Sequence, residues 1–599
     1  MYRHLYVGEE SRDNIELVDS MDRQPLYYTV FILFILIASS YYLSWSVDRG
    51  MGEVSVEKLS IEREPGRTVE FLVYSPRTAN HYEPMPIVLA IHGLTGSKEG
   101  LYAFNVELAR RNFTVVSIDL PGHGDSTVGF NITDLQGMAQ DAYAALRYVQ
   151  TTFPSVDNES YGVLSHSLGF RVAIELQNFP VTPRAYVAIG DAGNLPQDGY
   201  VDFPDNLLFA IGSFDEIVSR KDALQAIRFA SGNETAIAGV TYGSLDNQTA
   251  HRLVFGFSDH VSEVVDRSLI TNAVSWLVQG VQGEEQLSHT RNPVDQVSYR
   301  KNIATVLSTF FLLVSIIPVM WLTYSLIPVR LKLREFQHDT KSHSLRRRIE
   351  IGSVLGGVVV IIFAASLILG INLEDARVKM LSLMSGTGII LFLIIGASGF
   401  FITIWLTLGR EETQRVLISV GIEKLKIREH LSDILKNLIV TGAGIAWLGF
   451  WLKIAQSDGV LLLLLRLPVG IRLVDTIVLT VLAIPVFLME AALIRGVLLA
   501  KQDWKTRYPR SASAVFALFS RFTLSALMTV VVIVLTTAAG VTGGRIVLIG
   551  VIWVHVLIVQ ILAAVLITWA SFEFNNTWSA VFASSLILSL VIVTALPLV

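Results

Sequence analysis

Three residue types capable of acyl-transfer chemistry recur at defined places in this chain. Ser167 stands in Ser165-His166-Ser167-Leu168-Gly169, where the apolar run YGVLS (161–165) gives way to helical sequence. A serine at such a junction occupies a sharp turn, with its hydroxyl raised above the strand ends. The amide of the next residue, Leu168, then points from a helix N-terminus toward a developing oxyanion. Small neighbours are required because the turn presses backbone against backbone. Ser165 stands where the G-x-S-x-G pattern has its first glycine. Asp215, in IGSFDEIV, and His260, in FGFSDHVSE, each lie just past an apolar run. Hydroxyl, imidazole and carboxylate together can attack an ester, thioester or amide carbonyl: the histidine takes the serine proton, the aspartate orients the histidine, and water releases the acyl group. A serine at a strand–helix junction taken alone is a helix N-cap. The rival base is His251, which precedes its strand and so belongs to the opposite edge. The rival acid is Asp191, just after a strand. His92, His123 and His166 read as loop and packing residues.

The elements that must hold these residues alternate in type. VSVEKLSIE and TVEFLVY, joined at Pro65-Gly66, read as a hairpin. PIVLAIHG (86–93) and FTVVSIDL (113–120) are continuous apolar runs, the pattern of parallel strands covered on both faces. Helical sequence precedes Asn112 and recurs over 133–152, 168–178, 219–231 and 262–280. Further strands are expected at 161–165, 184–190, 206–212 and 252–257. This alternation predicts a mostly parallel sheet with helices on both faces. Ligands of such sheets bind outside the carboxyl ends of the strands, and Ser167, Asp215 and His260 all fall there in the order serine, acid, histidine. The connection between the strands at 190 and 206 is too short for a large lid domain.

Five pieces in order, IHGLTGS (containing His92 to Ser97), DLPGHGDS (Asp119 to Ser126), SHSLG, GSFDEIV and SDHV, make residues 54–280 resemble the α/β-hydrolase superfamily. The resemblance implies a serine hydrolase with Ser167 as nucleophile, His260 as general base and acid, and Asp215 as its orienting partner. It further implies an oxyanion hole made of the backbone amides of Leu94 and Leu168. No cofactor and no metal are expected.

The rest of the chain is of another kind. Of 599 residues 52% are hydrophobic and 17% charged, against roughly 25% charged in soluble proteins. The deficit falls after residue 300, in apolar runs of spanning length. Candidate spans are 27–45, 303–327, 350–371, 381–408, 434–454, 473–499, 514–539, 545–569 and 578–598, so the expectation is an all-α polytopic domain of about nine spans. The first lacks a small-residue cleavage site and reads as an uncleaved anchor. The expected domains are a cytoplasmic head (1–26), the anchor (27–45), the hydrolase domain (50–280), a polar linker (281–300) and the multi-span region (303–599). Arg330, Lys332, Arg334, Lys341, Arg346, Arg347 and Arg348 lie in one loop, Arg410, Arg415, Lys424, Lys426 and Arg428 in the next but one, and Lys501, Lys505, Arg507 and Arg510 in a third. Loops rich in lysine and arginine stay in the cytoplasm. The hydrolase domain is therefore expected outside the cell membrane and the N-terminus inside. Sequons at Asn112, Asn131, Asn158, Asn233 and Asn247 agree weakly. Residues 456–472 read as a re-entrant or interfacial piece, with Arg466 and Arg472 outside.

Cysteine is absent, which excludes disulfides, thiolate metal sites and a cysteine nucleophile. No basic patch interleaved with aromatics suggests nucleic acid. Glu490 and Arg495, in FLMEAALIRGVLL, are faintly similar to the E-E-x-x-x-R signature of CAAX-processing intramembrane proteases; Ala491 replaces the second glutamate, which implies an inactive relative. The functional expectation is a membrane-bound serine hydrolase acting on a small-molecule or lipid-like ester, thioester or amide, in contact with membrane lipids. The alternative is a transporter or receptor whose outer α/β domain binds ligand without turnover. A third is a scaffold in which the hydrolase domain serves an assembly partner.

Overall fold

The computed structural model describes residues 24–77, 84–153, 156–193, 203–327, 344–376, 378–422, 427–460, 465–499, 544–574 and 576–599. Nine strands form one sheet: β1 (Val54–Glu64), β2 (Arg67–Pro76), β3 (Met85–Ile91), β4 (Thr114–Ile118), β5 (Val156–His166), β6 (Ala185–Ile189), β7 (Leu207–Gly212), β8 (Thr241–Tyr242) and β9 (His251–Gly256). Their spatial order is β1-β2-β4-β3-β5-β6-β7-β9-β8. The central pairs β4-β3, β3-β5, β5-β6, β6-β7 and β7-β9 are parallel, while β1-β2, β2-β4 and β8-β9 are antiparallel. This is the α/β-hydrolase fold, a mostly parallel sheet covered by helices.

Both faces are buried for the reason the apolar runs indicate. Along β3, Ile87, Leu89 and Ile91 point to one side and Val88 and Ala90 to the other, the two-residue alternation of a strand. The first side packs on α3 (Leu135–Thr152) and α4 (Leu168–Glu175) through Met138, Ala142, Val149 and Phe170. The second packs on α2 (Tyr102–Ala109) and α6 (Arg267–Leu277) through Phe104, Leu108, Trp276 and Leu277. A further helix, α5 (Arg220–Ser231), is capped by Ser219 and closed by Gly232 in the left-handed region. Two features escaped the apolar pattern. β5 starts at Val156 rather than 161, and β8 is a two-residue edge strand.

The polar stretch 281–300, expected as a linker, is an ordered strap. Arg111, fully buried, donates to the carbonyls of Arg291 at 3.0 Å, Asn292 at 2.6 Å and Asp295 at 2.9 Å. The Glu107 carboxylate accepts from the amides of Val297 and Ser298 at 2.7 and 2.9 Å. The short helix α7 (Gln286–His289) lies within the strap.

Beyond the hydrolase domain the fold is helical: α1 (Gln24–Asp48), α8 (Tyr299–Leu326), α9 (Leu345–Asp375), α10 (Gly386–Leu408), α11 (Arg410–Ser419), α12 (Ile427–Ser457), α13 (Ile471–Leu493), α14 (Gly544–Glu573) and α15 (Trp578–Ala595). Among the described residues eight helices are long and apolar enough to cross a membrane, all of these except α11. The span expected at 514–539 lies outside the described residues. The α10 span begins at Gly386 rather than 381, because Leu383 forms a β-bridge with Leu598.

One set of helix ends adjoins the hydrolase domain. At the end of α1, Asp48 pairs with Lys301 in the first turn of α8 at 2.5 Å, both buried. Gln456, in the last turn of α12, reaches Asp125 at 3.1 Å. Arg472, in the first turn of α13, donates to the Gly122 carbonyl at 2.6 Å. The opposite ends carry Arg346 and Arg347 on α9 and Arg410 and Arg415 on α11.

Candidate active site

Ser167 is held on a strained turn. It follows β5 directly and precedes α4, with φ 51° and ψ −123°, a conformation that a non-glycine residue adopts only where its surroundings impose it. Its amide donates to the Ile189 carbonyl of the neighbouring strand at 2.8 Å. A Cβ on Gly169 would fall 2.3 Å from the Ile91 carbonyl oxygen, and one on Gly93 would fall 2.9 Å from Ser167 Cβ. The end of β3 and the turn therefore interlock, and only glycine fits at those two positions. Ser165, the departure from the glycine pattern, is fully buried, and its hydroxyl donates to the Val187 carbonyl at 2.9 Å. The extra oxygen thus has a partner across the sheet. Ser167 makes no capping hydrogen bond through its side chain, so the simple N-cap reading does not describe it.

The Ser167 hydroxyl instead donates to Nε2 of His260 at 2.9 Å. Nδ1 of His260 donates to Oδ2 of Asp215 at 2.9 Å. The other Asp215 oxygen accepts from the amides of Ile217 and Val218 at 2.6 and 2.8 Å. Burial works to raise the Asp215 carboxyl, but the hydrogen bond and charge of His260 and these two amides outweigh it, and it stays below its ordinary value. It is therefore ionised at neutral pH and fixes the histidine tautomer that leaves Nε2 free to accept a proton. Both ring nitrogens of His260 are taken by Ser167 and Asp215, and neither rival replaces them. His251 opens β9 at the opposite edge, and burial lowers its ring below its ordinary value. Asp191 accepts from the Gly193 amide at 2.7 Å and lies 3.7 Å from Arg171.

Leu94 follows Gly93 in the loop that passes against the Ser167 turn, and Leu168 is the first residue of α4. The Leu168 amide belongs to the set at a helix start that has no intrahelical acceptor. His92 shapes the loop: Nδ1 donates to the Gly93 carbonyl at 2.7 Å and Nε2 accepts from the Leu120 amide at 3.1 Å. Burial pushes its pKa down to about 4, in keeping with that neutral double role. His123 donates to the Pro121 carbonyl at 2.8 Å, and burial pushes it down to about 3. His166 donates from Nε2 to the His260 carbonyl at 3.1 Å and so braces the histidine loop.

One residue at the site gave no sequence signal beyond its spacing. Glu263, three residues after His260 in a helical turn, is fully buried, and one of its oxygens accepts from the Gly212 amide. Burial, followed by the charge of Asp215, pushes its carboxyl up to about 10. His166, His260 and Glu263 lie close enough to bridge a metal ion. Both ring nitrogens of His260 are engaged by Ser167 and Asp215, however, so the donor set is that of a hydrogen-bonded site.

A family model described as Hydrolase_4, "Serine aminopeptidase, S33", matches residues 82–179. The match covers the loop after β3 and the Ser167 turn and ends before Asp215 and His260. No curated protein matches this chain. The solved structures that align with it include these two. One is a PEG-bound complex of a cold-adapted esterase from an Arctic intertidal metagenomic library, at 20% identity over 38% of this chain and 95% of that chain, with TM-score 0.29. The other is TT1662 from Thermus thermophilus, at 22% identity over 37% and 98%, with TM-score 0.27. The family match does not extend to Glu490 and Arg495; both are buried, and Arg495 donates to the Ser571 carbonyl at 3.3 Å.

Proposed function

We propose that this protein is a membrane-bound serine hydrolase that cleaves a lipid-derived ester, thioester or amide through Ser167, His260 and Asp215. The observation that carries the reading is the pair of 2.9 Å contacts running from the Ser167 hydroxyl through His260 to Asp215. His260 takes the hydroxyl proton as Ser167 attacks the carbonyl. The oxyanion is met by the amides of Leu94 and Leu168, and His260 returns the proton to the leaving group. Water then repeats the sequence on the acyl-enzyme. The family match keeps amides among the substrates beside esters.

Two observations favour a lipid source. The domain is inserted between α1 and α8, two helices of spanning length. Phe214, Phe257 and Val261, on the loops that bear Asp215 and His260, are 59%, 85% and 58% exposed. The hydrolase domain lies outside the cell membrane, because the arginines of α9 and α11 mark the opposite helix ends and such residues are retained in the cytoplasm.

The test is a fluorophosphonate probe, which traps an activated serine, applied to the detergent-solubilised full chain and to Ser167→Ala and His260→Ala. Labelling of the wild type that disappears in both variants is expected. An unlabelled, folded wild type sinks the reading in favour of a ligand-binding receptor or transporter, which has no need of an activated Ser167.

A further inference from the structure

The loop that carries Leu94 runs from the end of β3 to α2, and the loop after β4 runs from Asp119 to Phe130. Both are gripped by the membrane half of the chain. Arg466, between α12 and α13, hydrogen-bonds Glu99, with Ser97 Oγ at 3.4 Å, through one amino group and Asp125 at 3.3 Å through the other. Asp125 also receives Gln456 at 3.1 Å and Lys58 of β1 at 2.8 Å. Lys98, fully buried, lies 2.5 Å from Asp119 and 2.7 Å from Asp125. Asp119 ties the two loops together, accepting from the amides of Lys98 at 2.8 Å and Asp125 at 2.9 Å. Three cations, Lys58, Lys98 and Arg466, thus face three carboxylates, Glu99, Asp119 and Asp125.

A backbone strap completes the grip. The Leu598 amide donates to the Gly122 carbonyl at 2.8 Å, and its carbonyl accepts from Phe130 at 2.7 Å. Arg472 donates to the same Gly122 carbonyl and to that of Leu596 at 3.0 Å.

Leu94 therefore lies between two fixed points. On one side His92 and Gly93 are locked against Leu120 and the Ser167 turn. On the other, Ser97 and Glu99 are locked to Arg466. The Lys98 amide between them is tied to Asp119 within the α/β domain, but the side-chain hold of Arg466 exists only while the membrane half is docked. Oxyanion donors act by being held in place before charge develops, so freedom in this loop weakens the transition state more than substrate binding.

We propose that Arg466 is a positioning residue for the oxyanion hole, through which the membrane domain holds the Leu94 amide in register with Ser167 and sets turnover. The proposal rests on the reading of Ser167 as nucleophile and Leu94 as oxyanion donor. Arg466 is specific in this role because its planar fork spans two carboxylates from two loops, which a lysine ammonium cannot do.

The test uses the full chain in detergent, a short-chain p-nitrophenyl ester and an alkyl boronic acid, which forms a tetrahedral adduct on an activated serine. Deleting one oxyanion donor outright lowers kcat by about 10²–10³-fold, and that range bounds the effect of loosening it. Arg466→Ala is expected to lower kcat by roughly 10–100-fold with KM little changed. The boronate inhibition constant should rise in parallel, and the pH midpoints of kcat should not move, because His260 is untouched. Arg466→Lys should fall in between. Should Arg466→Ala fail to fold, Arg466→Lys alone carries the test through the same paired shift. A folded variant with kcat and boronate affinity of the wild type overturns the proposal, as does a loss confined to KM. Fluorophosphonate labelling separates the two levels. A wild type that does not label fails the hydrolase reading, whereas one that labels and tolerates Arg466→Ala fails this inference alone.

Discussion

Oε2 of Glu263 lies 3.9 Å from Nδ1 of His260, the nitrogen that meets Asp215 at 2.9 Å. Two carboxyls at one imidazole nitrogen cannot both be charged cheaply in a buried place. Their environments push them apart, Asp215 below its ordinary value and Glu263 up to about 10. At neutral pH Glu263 is therefore a neutral group beside an ionised Asp215.

The stability consequence has a definite sign. Unfolded, Glu263 ionises near 4.5, and folded near 10. The folded state binds the extra proton between those values, so this group's contribution is fully present below pH 4.5 and is lost as pH rises toward 10. The slope approaches about 1.4 kcal/mol per pH unit. Glu263→Gln, which keeps a neutral amide there, should gain thermal stability over the wild type at pH 8 relative to pH 5. A difference in Tm that does not grow with pH contradicts the assignment.

The Ser167 turn predicts opposite outcomes at its two small neighbours. Gly169→Ala drives a Cβ to 2.3 Å from the Ile91 carbonyl. Backbone on both sides prevents relief, so a cost at or above the upper end of about 1–3 kcal/mol is expected, with loss of fluorophosphonate labelling. Ser165→Gly removes one hydrogen bond to Val187, should cost about 1 kcal/mol and should keep labelling. Equal labelling of the two variants would count against the interlocked turn.

Much of this architecture is written in local pattern. β3, β4, β6 and β7 are continuous apolar runs because both of their faces are covered, and Ser167, Asp215 and His260 can be named because each follows the end of such a run. Other features depend on contacts that no local pattern encodes. The polar start of β5 is held by pairing across a bulge, Met85 opposite Val156. Glu263 resembles any acidic residue at a helix start until His260 is placed above it. Arg466 and Glu99 lie 367 residues apart in sequence, and an arginine between two spans reads as a solvent-facing charge until the hydrolase domain is set against it. The strap over 281–300 reads as a linker because the groups that bind the buried Arg111 and Glu107 are its carbonyls and amides, which every sequence has.

Lys98 gives a third prediction. It is fully buried among Glu99, Asp119 and Asp125. Lys98→Met leaves carboxylates in a buried site without their central cation, so a loss of about 3–5 kcal/mol is expected. Denaturant unfolding of the full chain measures it. A loss below 1 kcal/mol would mean that the carboxylates are already neutral or hydrated.

The exposed aromatic pair gives a fourth. Phe214 and Phe257 meet edge to face at 4.9 Å beside Asp215 and His260. Phe214→Ser and Phe257→Ser together should leave hydrolysis of a soluble short-chain ester within about threefold, since neither ring touches the reacting groups. Hydrolysis of a long-chain acyl ester presented in phospholipid vesicles should fall further. Equal effects on both substrates would argue against a lipid source.

Protein chains are made from the N-terminus onward and fold in that order. The sheet, the Ser167 turn, Asp215 and His260 are complete once α6 has been synthesised. The loops over 92–130 still lack Arg466, Arg472 and the Leu598 backbone, which come from segments made much later. During synthesis the domain therefore passes through a stage in which the Ser167 turn is assembled and the loops beside it are not yet braced. Their partners arrive only with segments more than 300 residues further along the chain, so the bracing of these loops waits on the helices of spanning length that follow the sheet.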